Sequence, residues 1–342
     1  MDGFTQGALG AVAAQAVLAP RLGRWAFAIG WGAGMLADAD LFIRSASDPL
    51  FSTVMHRGFT HALLFIPVGA LVATLPFLAV RALRPQWRYV YLAALIGYAT
   101  HAPLDMLTTY GTQLFWPFAN TRVALDVVAI VDPIFTLAVF IGAVWSAVRR
   151  TVRPARIGLA IGVVYLGFCA VQHHRATSAQ ERLAEVRGHQ ITRGRALPTP
   201  TNAFLFRSIY RDQHGVIHAD AIRTPLLSGP TFRPGGSAPA FDPVAEGIAD
   251  GPARRPDRLR RDLRRYRWFT DGFWARSLDD PDFIGDMRIT ADPAAFNSLW
   301  GIRIDPSAEI PVRTMSRPDL DFDVGGFLSE IFGGDPRHRP VP

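Results

Sequence analysis

The chain contains no lysine: its 36 basic residues are all arginine. It has a single cysteine, Cys169, which excludes a disulfide framework and a cysteine-ligated zinc finger and leaves the redox compartment open. Glutamate is absent from residues 1–175, where 13 Arg stand against 7 Asp, whereas residues 176–342 hold 23 Arg against 22 acids. The net charge of +7 therefore belongs almost wholly to the first half, in which the arginines form short clusters between apolar runs. Nucleic-acid binding calls for a basic groove interleaved with aromatics, while membrane proteins concentrate arginine in cytoplasmic loops. The second pattern is the one present, so no nucleic-acid partner is expected. No basic residue precedes Arg21, so a cleaved signal peptide is not expected either. With 49% hydrophobic and 19% charged residues over 342 positions, disorder is excluded for most of the chain.

Six apolar stretches are present, at roughly 4–19, 25–37, 62–80, 89–107, 127–148 and 157–172. A spanning helix needs about 20 mainly apolar residues. The third, fourth and fifth meet that length, and the sixth approaches it. The first two are short and rich in Gly and Ala, which favours tight helix packing or partial insertion. Nine arginines (21, 24, 81, 84, 88, 149, 150, 153 and 156) fall in alternate connections, which assigns those connections to the cytoplasm. The intervening connections, near 38–60 and 108–126, and the chain after the sixth stretch then face outward.

From about residue 175 apolar and polar positions alternate, as in Ala203–Tyr210, Gly215–Ala219, Phe283–Ile289 and Trp300–Ile304, and strands are predicted there. A Gly-, Pro- and Arg-rich stretch near 229–262 reads as a loop or linker. Residues 305–342 read as a poorly ordered tail.

Ionisable side chains beside apolar segments are functional hypotheses by default. Asp38 and Asp40 end the second stretch; His56 and His61 bracket the turn before the third; His101 and Asp105 lie near the end of the fourth. The arginine-derived topology puts all six at one outward edge. His101 and Asp105 are four apart and share one face of a helix. Gly58 allows the turn that would bring His56 and His61 together, and Thr60 is placed to cap the following helix. Each pair alone also has a bland reading, as a His–carboxylate hydrogen bond, a polar helix end or two interfacial histidines. Together, three imidazoles and three carboxylates make a mixed N/O set suited to Zn²⁺, Mn²⁺ or Fe²⁺, enough for two ions with open positions. Asp132 is a candidate to orient a histidine from outside the ligand set, or to cap the backbone at Pro133. Arg57 is a candidate for phosphate, or for pairing with Asp48 or a lipid headgroup. His173 and His174 read as interfacial residues, not ligands.

The Asp38-Ala39-Asp40 element, the stretch from Asp48-Pro49-Leu50 to His56-Arg57-Gly58-Phe59-Thr60-His61, His101-Ala102-Pro103-Leu104-Asp105 with Gly111-Thr112 and Pro117-Phe118, and Asp132-Pro133 resemble the YdjM-like family of predicted membrane-bound metal-dependent hydrolases. Met1–Gln6, Asp271-Gly272-Phe273 and Asp286-Met287-Arg288 extend the resemblance to about residue 304. That family is distantly similar to zinc-dependent phospholipase C and P1 nuclease. The resemblance implies metal-assisted hydrolysis, with Asp38, Asp40, His56, His61, His101 and Asp105 as ligands and Asp38, His61 and Asp105 closest to the chemistry. Some relatives carry histidine near Gln6, and the glutamine here argues against a third ion.

The expectation is thus an α-helical membrane bundle of about four to six hydrophobic helices (1–174), followed by an extracytoplasmic, strand-rich α+β soluble domain (175–304). The chain would sit in a bacterial inner membrane and hydrolyse a phosphoester or related ester of a lipid or envelope molecule with two divalent ions, zinc foremost. The competing reading is a non-enzymatic membrane protein that binds metal for transport or sensing.

Overall fold

The computed structural model describes residues 1–317 and 322–342. The chain divides into two compact units: unit 1 comprises Met1–Ile43 and Met55–Val171, and unit 2 comprises Arg44–Val54 and Gln172–Pro342. Sequence reading places a single boundary at residue 174. The structure instead gives residues 44–54 to unit 2, because Leu50 is buried in that unit's core and Asp48 pairs with Arg265 at 2.8 Å.

Unit 1 is helical. Helices α1 (Gly3–Leu22) and α2 (Arg24–Leu36) are followed by a 3-10 turn (Ala37–Phe42), α3 (Phe51–Met55), two short 3-10 turns (Phe59–His61 and Leu63–Phe65), α4 (Ile66–Leu78), α5 (Trp87–Ala99), α6 (His101–Met106), α7 (Pro133–Arg149) and α8 (Arg153–Val186). Asp2 caps α1 by accepting from the Thr5 N–H, and Asp132 caps α7 by accepting from the Phe135 N–H, with Pro133 at the first helical position. The tightest contact is between α1 and α2. A Cβ on Gly10 would lie 2.3 Å from the Gly30 carbonyl oxygen, and one on Gly30 would lie 2.4 Å from the Gly10 carbonyl oxygen. Only glycine permits that approach, and it sets the Gly34 backbone beside α6.

The apolar stretches are less continuous as helices than their composition implies. The third stretch opens with a 3-10 turn at Leu63–Phe65, so α4 has 13 residues. The fourth breaks at Thr100, leaving α5 with 13 and α6 with 6. The fifth begins only at Pro133, because proline lacks the N–H that a preceding turn would need. Among the described residues one helix, α8, is long and apolar enough to cross a membrane, and Phe51–His61 with Leu63–Leu78 forms a pair bent by 60° that would pass the same test together. Exposed apolar side chains nonetheless run along α4 (Val68, Leu71, Val72, Leu75) and α7 (Ile134, Leu137, Ile141, Val148), as expected of surfaces that face lipid.

Unit 2 contains a five-stranded antiparallel sheet in the order β1 (Arg193–Pro198), β2 (Leu205–Arg211), β3 (Val216–Arg223), β4 (Thr231–Pro239) and β9 (Arg339–Pro340), and a four-stranded antiparallel sheet of β5 (Trp274–Arg276), β6 (Phe283–Asp286), β7 (Trp300–Ile304) and β8 (Val312–Ser316). Ala176, Ala179 and Leu183 of α8 pack on Phe206 and Ile222 of the first sheet. Helix α9 (Pro256–Phe269) packs Leu259, Leu263 and Tyr266 against Trp274 and Ile284 of the second.

Two expectations are corrected here. The 229–262 stretch is not one loop, since it contributes β4 and the first half of α9. Its Gly-Gly and Pro residues hide a strand in which a Cβ on Gly235 would lie 2.4 Å from the Ala219 carbonyl oxygen, and Arg258, Arg260 and Arg261 belong to a helix whose apolar residues recur at helical spacing. The stretch after 305 carries β8, α10 (Val324–Phe332) and β9, anchored by the Arg233–Glu330 pair at 2.9 Å. Part of that tail, residues 318–321, lies outside the described residues.

Candidate metal centre

Four of the six singled-out side chains converge on one point in unit 1. Asp38 Oδ1 lies 3.5 Å from His61 Nε2 and 3.4 Å from His101 Nε2, and Asp105 Oδ2 lies 3.3 and 3.5 Å from the same two nitrogens. A tetrahedral site with metal–ligand bonds of about 2.0–2.2 Å has edges of about 3.3–3.6 Å. The separations already match that figure.

The hydrogen-bond network fixes which histidine nitrogens face inward. His101 Nδ1 donates to the Gly34 carbonyl at 2.6 Å, so its Nε2 presents a lone pair. The Thr60 hydroxyl donates to Asp40 Oδ2 at 2.7 Å, and its oxygen therefore accepts the Nδ1–H of His61 at 2.9 Å. The His61 Nε2 is left bare as well. Among the described residues, His61 Nε2, His101 Nε2 and Asp105 Oδ2 are buried with no hydrogen-bond partner. Three inward-facing acceptors beside a second carboxylate repel one another unless a cation lies between them, and leaving them unpaired is costly. The residues present fit a divalent ion.

Asp40 and His56 belong to an adjoining set. Their ligand atoms and one from Asp38 lie within 4.8 Å of one another. His56 Nδ1 hydrogen-bonds Asp40 Oδ1 at 2.7 Å, and His56 Nε2 is 4.0 Å from Asp38 Oδ1. Asp38 is shared by both sets. The His56 and Asp38 side chains are 23% and 19% exposed while those of His61, His101 and Asp105 are at most 1% exposed, so solvent reaches the cluster along the Asp38–His56 edge. Burial raises the Asp40 carboxyl, and the hydrogen bonds from His56 and from the Thr60 hydroxyl bring it below its ordinary value.

The supporting shell is dense. Arg57 adopts a left-handed backbone (φ 62°), a costly conformation outside glycine. It is held there by its N–H to Asp40 Oδ2 at 3.2 Å and by its carbonyl, which accepts from the Gln113 N–H at 3.0 Å. Its guanidinium lies 3.2 Å from Asp105 Oδ2 and donates to Thr108 at 3.0 Å. Of the roles open to Arg57 in the sequence, pairing with Asp48 is overturned, because Asp48 is taken by Arg265. Gln6 donates to Asp105 Oδ1 at 2.9 Å, as does the Met1 amino group. Asp132 does not join the cluster: its carboxylate accepts from the Phe135 N–H at 3.0 Å and from the Tyr165 hydroxyl at 2.7 Å. Of its two candidate roles, capping is the one formed. Thr60 caps no helix; it is the relay between Asp40 and His61, a role no spacing rule reveals. The Gly34 carbonyl is equally invisible, since only the α1–α2 glycine contact brings it near α6, whereas Gln6, marked by the resemblance as a poor ligand, serves as a donor to Asp105.

No curated protein and no solved structure matches the chain. The profile of the YdjM inner membrane protein family matches residues 1–176, just over half of the sequence and every member of the cluster, and the chain belongs to that family.

Proposed function

We propose that this chain is an inner-membrane, metal-dependent hydrolase of phosphoester or related ester bonds in lipid or envelope molecules. Asp38, His61, His101 and Asp105 would hold one divalent ion, with zinc favoured over manganese or iron by the two imidazoles and the tetrahedral spacing. Asp40 and His56, sharing Asp38, would hold a second. The observation that carries the reading is the set of bare, buried acceptors facing one another beside a solvent-reached edge.

A divalent ion there supplies Lewis-acid polarisation of a substrate oxygen and lowers the pKa of water. The protein's own residues do the rest. Asp105, pinned by Gln6 and Arg57, keeps one oxygen inward. Asp40 locks the His56–His61 turn through His56, Arg57 N–H and Thr60. Asp38, as the partly exposed member, is the group an incoming ester meets first. The apolar faces of α4 and α7 support contact with the bilayer, the natural source of such an ester. With the arginine clusters on the cytoplasmic side, the cluster and unit 2 would face outward.

One observation favours the second reading, a protein that binds metal without catalysis. Four protein ligands at tetrahedral spacing form a closed site, and catalytic sites keep a position open. The experiment that separates the two is metal analysis of detergent-purified protein alongside a His101→Ala, Asp105→Ala variant, with hydrolysis of bis(p-nitrophenyl) phosphate and of phospholipid vesicles measured on both. Metal and hydrolysis lost together support the enzyme. Metal lost with no hydrolysis in either protein supports the binding reading.

A further inference from the structure

Six of the nine histidines fall into two groups. His56, His61 and His101 belong to the centre described above. His189, His214 and His218 lie in unit 2, in the segment just after α8 and on the β2–β3 hairpin. One ligand atom from each of His189, Asp212 and His218 lies within 4.8 Å of the other two. The imidazoles of His189 and His218 stack with centroids 4.4 Å apart.

The carboxylate is preorganised. Asp212 Oδ1 accepts the backbone N–H groups of His214 and Val216, both at 2.9 Å, and this fixes the hairpin turn. Asp212 Oδ2 is thereby directed to His218 Nε2, 3.0 Å away, close to the ligand–ligand edge of about 3.3 Å in a small coordination sphere. His189 is oriented too. Its Nδ1 shares a 2.8 Å hydrogen bond with the Tyr210 hydroxyl, which receives a further bond from Arg187 at 3.1 Å. Arg187 is itself clamped by both oxygens of Asp220, at 2.7 and 2.9 Å. With Nδ1 engaged, Nε2 is the nitrogen left for a ligand, and an outer partner of this kind is what metal-binding histidines require.

We infer that His189, Asp212 and His218 form a second, separate binding site for a first-row divalent transition ion, which ties the end of α8 to the β2–β3 hairpin. The ion would displace the proton shared by His218 Nε2 and Asp212 Oδ2, and solvent would complete its coordination, since both histidines are partly exposed.

The test is equilibrium dialysis of the detergent-purified full chain against Zn²⁺, with four proteins compared: the unaltered chain, His189→Gln with His218→Gln, His61→Gln with His101→Gln, and the last with Asp212→Asn added. Glutamine keeps hydrogen-bonding capacity, and circular dichroism checks that each protein is folded. The inference predicts one zinc fewer per chain in the His189/His218 variant, with ester hydrolysis unchanged, and a further zinc retained in the His61/His101 variant that Asp212→Asn removes. Equal zinc counts in the unaltered chain and the His189/His218 variant would overturn it, whatever becomes of the site in unit 1.

Discussion

Buried carboxylates are neutralised differently in the two units. In unit 2, Asp220, Asp286 and Glu330 each offer both oxygens to one arginine: Arg187 at 2.7 and 2.9 Å, Arg288 at 2.8 and 2.7 Å, and Arg233 at 2.9 and 3.1 Å. These bidentate pairs satisfy donor and acceptor together. In unit 1, Asp38 and Asp105 instead face imidazole nitrogens whose protons are committed elsewhere, to the Gly34 carbonyl and to Thr60. Arg57 and the Met1 amino group meet the Asp105 charge from outside the cluster, while no arginine is paired with Asp38 among the described residues. The same residue types therefore close a structural network in one unit and leave a cation-shaped gap in the other. What decides the difference is the partner on the far side of each histidine, not the abundance of charge.

The comparison can be broken most severely at the gap. His101→Ala removes one of four converging ligands and should abolish retention of a divalent ion by unit 1, with at least about a hundredfold loss of affinity, read by competition against a chelator. Next in size, Arg233→Met strips the buried Glu330 of its bidentate cation and leaves it only His338. It should cost about 3–5 kcal/mol of unit 2 stability, seen in denaturant unfolding, while leaving metal affinity in unit 1 unchanged. If metal affinity fell as well, the two kinds of carboxylate would not be functionally separate. Thr60→Val breaks the Asp40–Thr60–His61 relay and frees the His61 tautomer. About 10- to 100-fold weaker metal binding is expected with the helical circular-dichroism signal intact. The smallest effect is in acid. Arg337 holds the Asp335 carboxyl at about 2, below its ordinary 3.8. A depressed carboxyl stabilises the fold above its unfolded pKa, and that contribution disappears as pH falls from about 4 towards 2. Arg337 is mostly exposed, so Asp335→Asn should cost no more than about 1 kcal/mol at neutral pH and close to nothing at pH 2, measured by urea midpoints at the two pH values.

Much of the candidate site was readable in the sequence because its members announce themselves locally. His101 and Asp105 lie one helical turn apart, and the Gly58 turn returns His61 towards His56. What could not be read is how six residues divide. Asp40 and Asp38 are two apart, yet one anchors the His56–His61 turn and the other joins the four-atom cluster, a distinction made by Thr60 and by Gly34 from a different helix. The fold shows the same limit. Apolar composition marks where unit 1 lies but not where its helices stop, because Thr100, Pro133 and the 3-10 turn at Leu63–Phe65 set the ends. In unit 2 the regular alternation of Trp300–Ile304 identifies β7 directly. The strand at Thr231–Pro239 was hidden by glycines whose role is a close backbone contact with β3, and the Arg44–Val54 insertion by a partner, Arg265, more than two hundred residues away.

The central claim is that His61 and His101 turn bare Nε2 atoms towards Asp38 and Asp105 around a cation. Zinc-edge X-ray absorption of the purified chain, loaded with zinc and washed with a weak chelator, tests it most directly on a His189→Gln, His218→Gln background. Two imidazole nitrogens and carboxylate oxygens at about 2.0–2.2 Å are expected, with the signal lost in the added His61→Gln, His101→Gln change. A spectrum without imidazole scattering, or one that survives that change, would contradict the account.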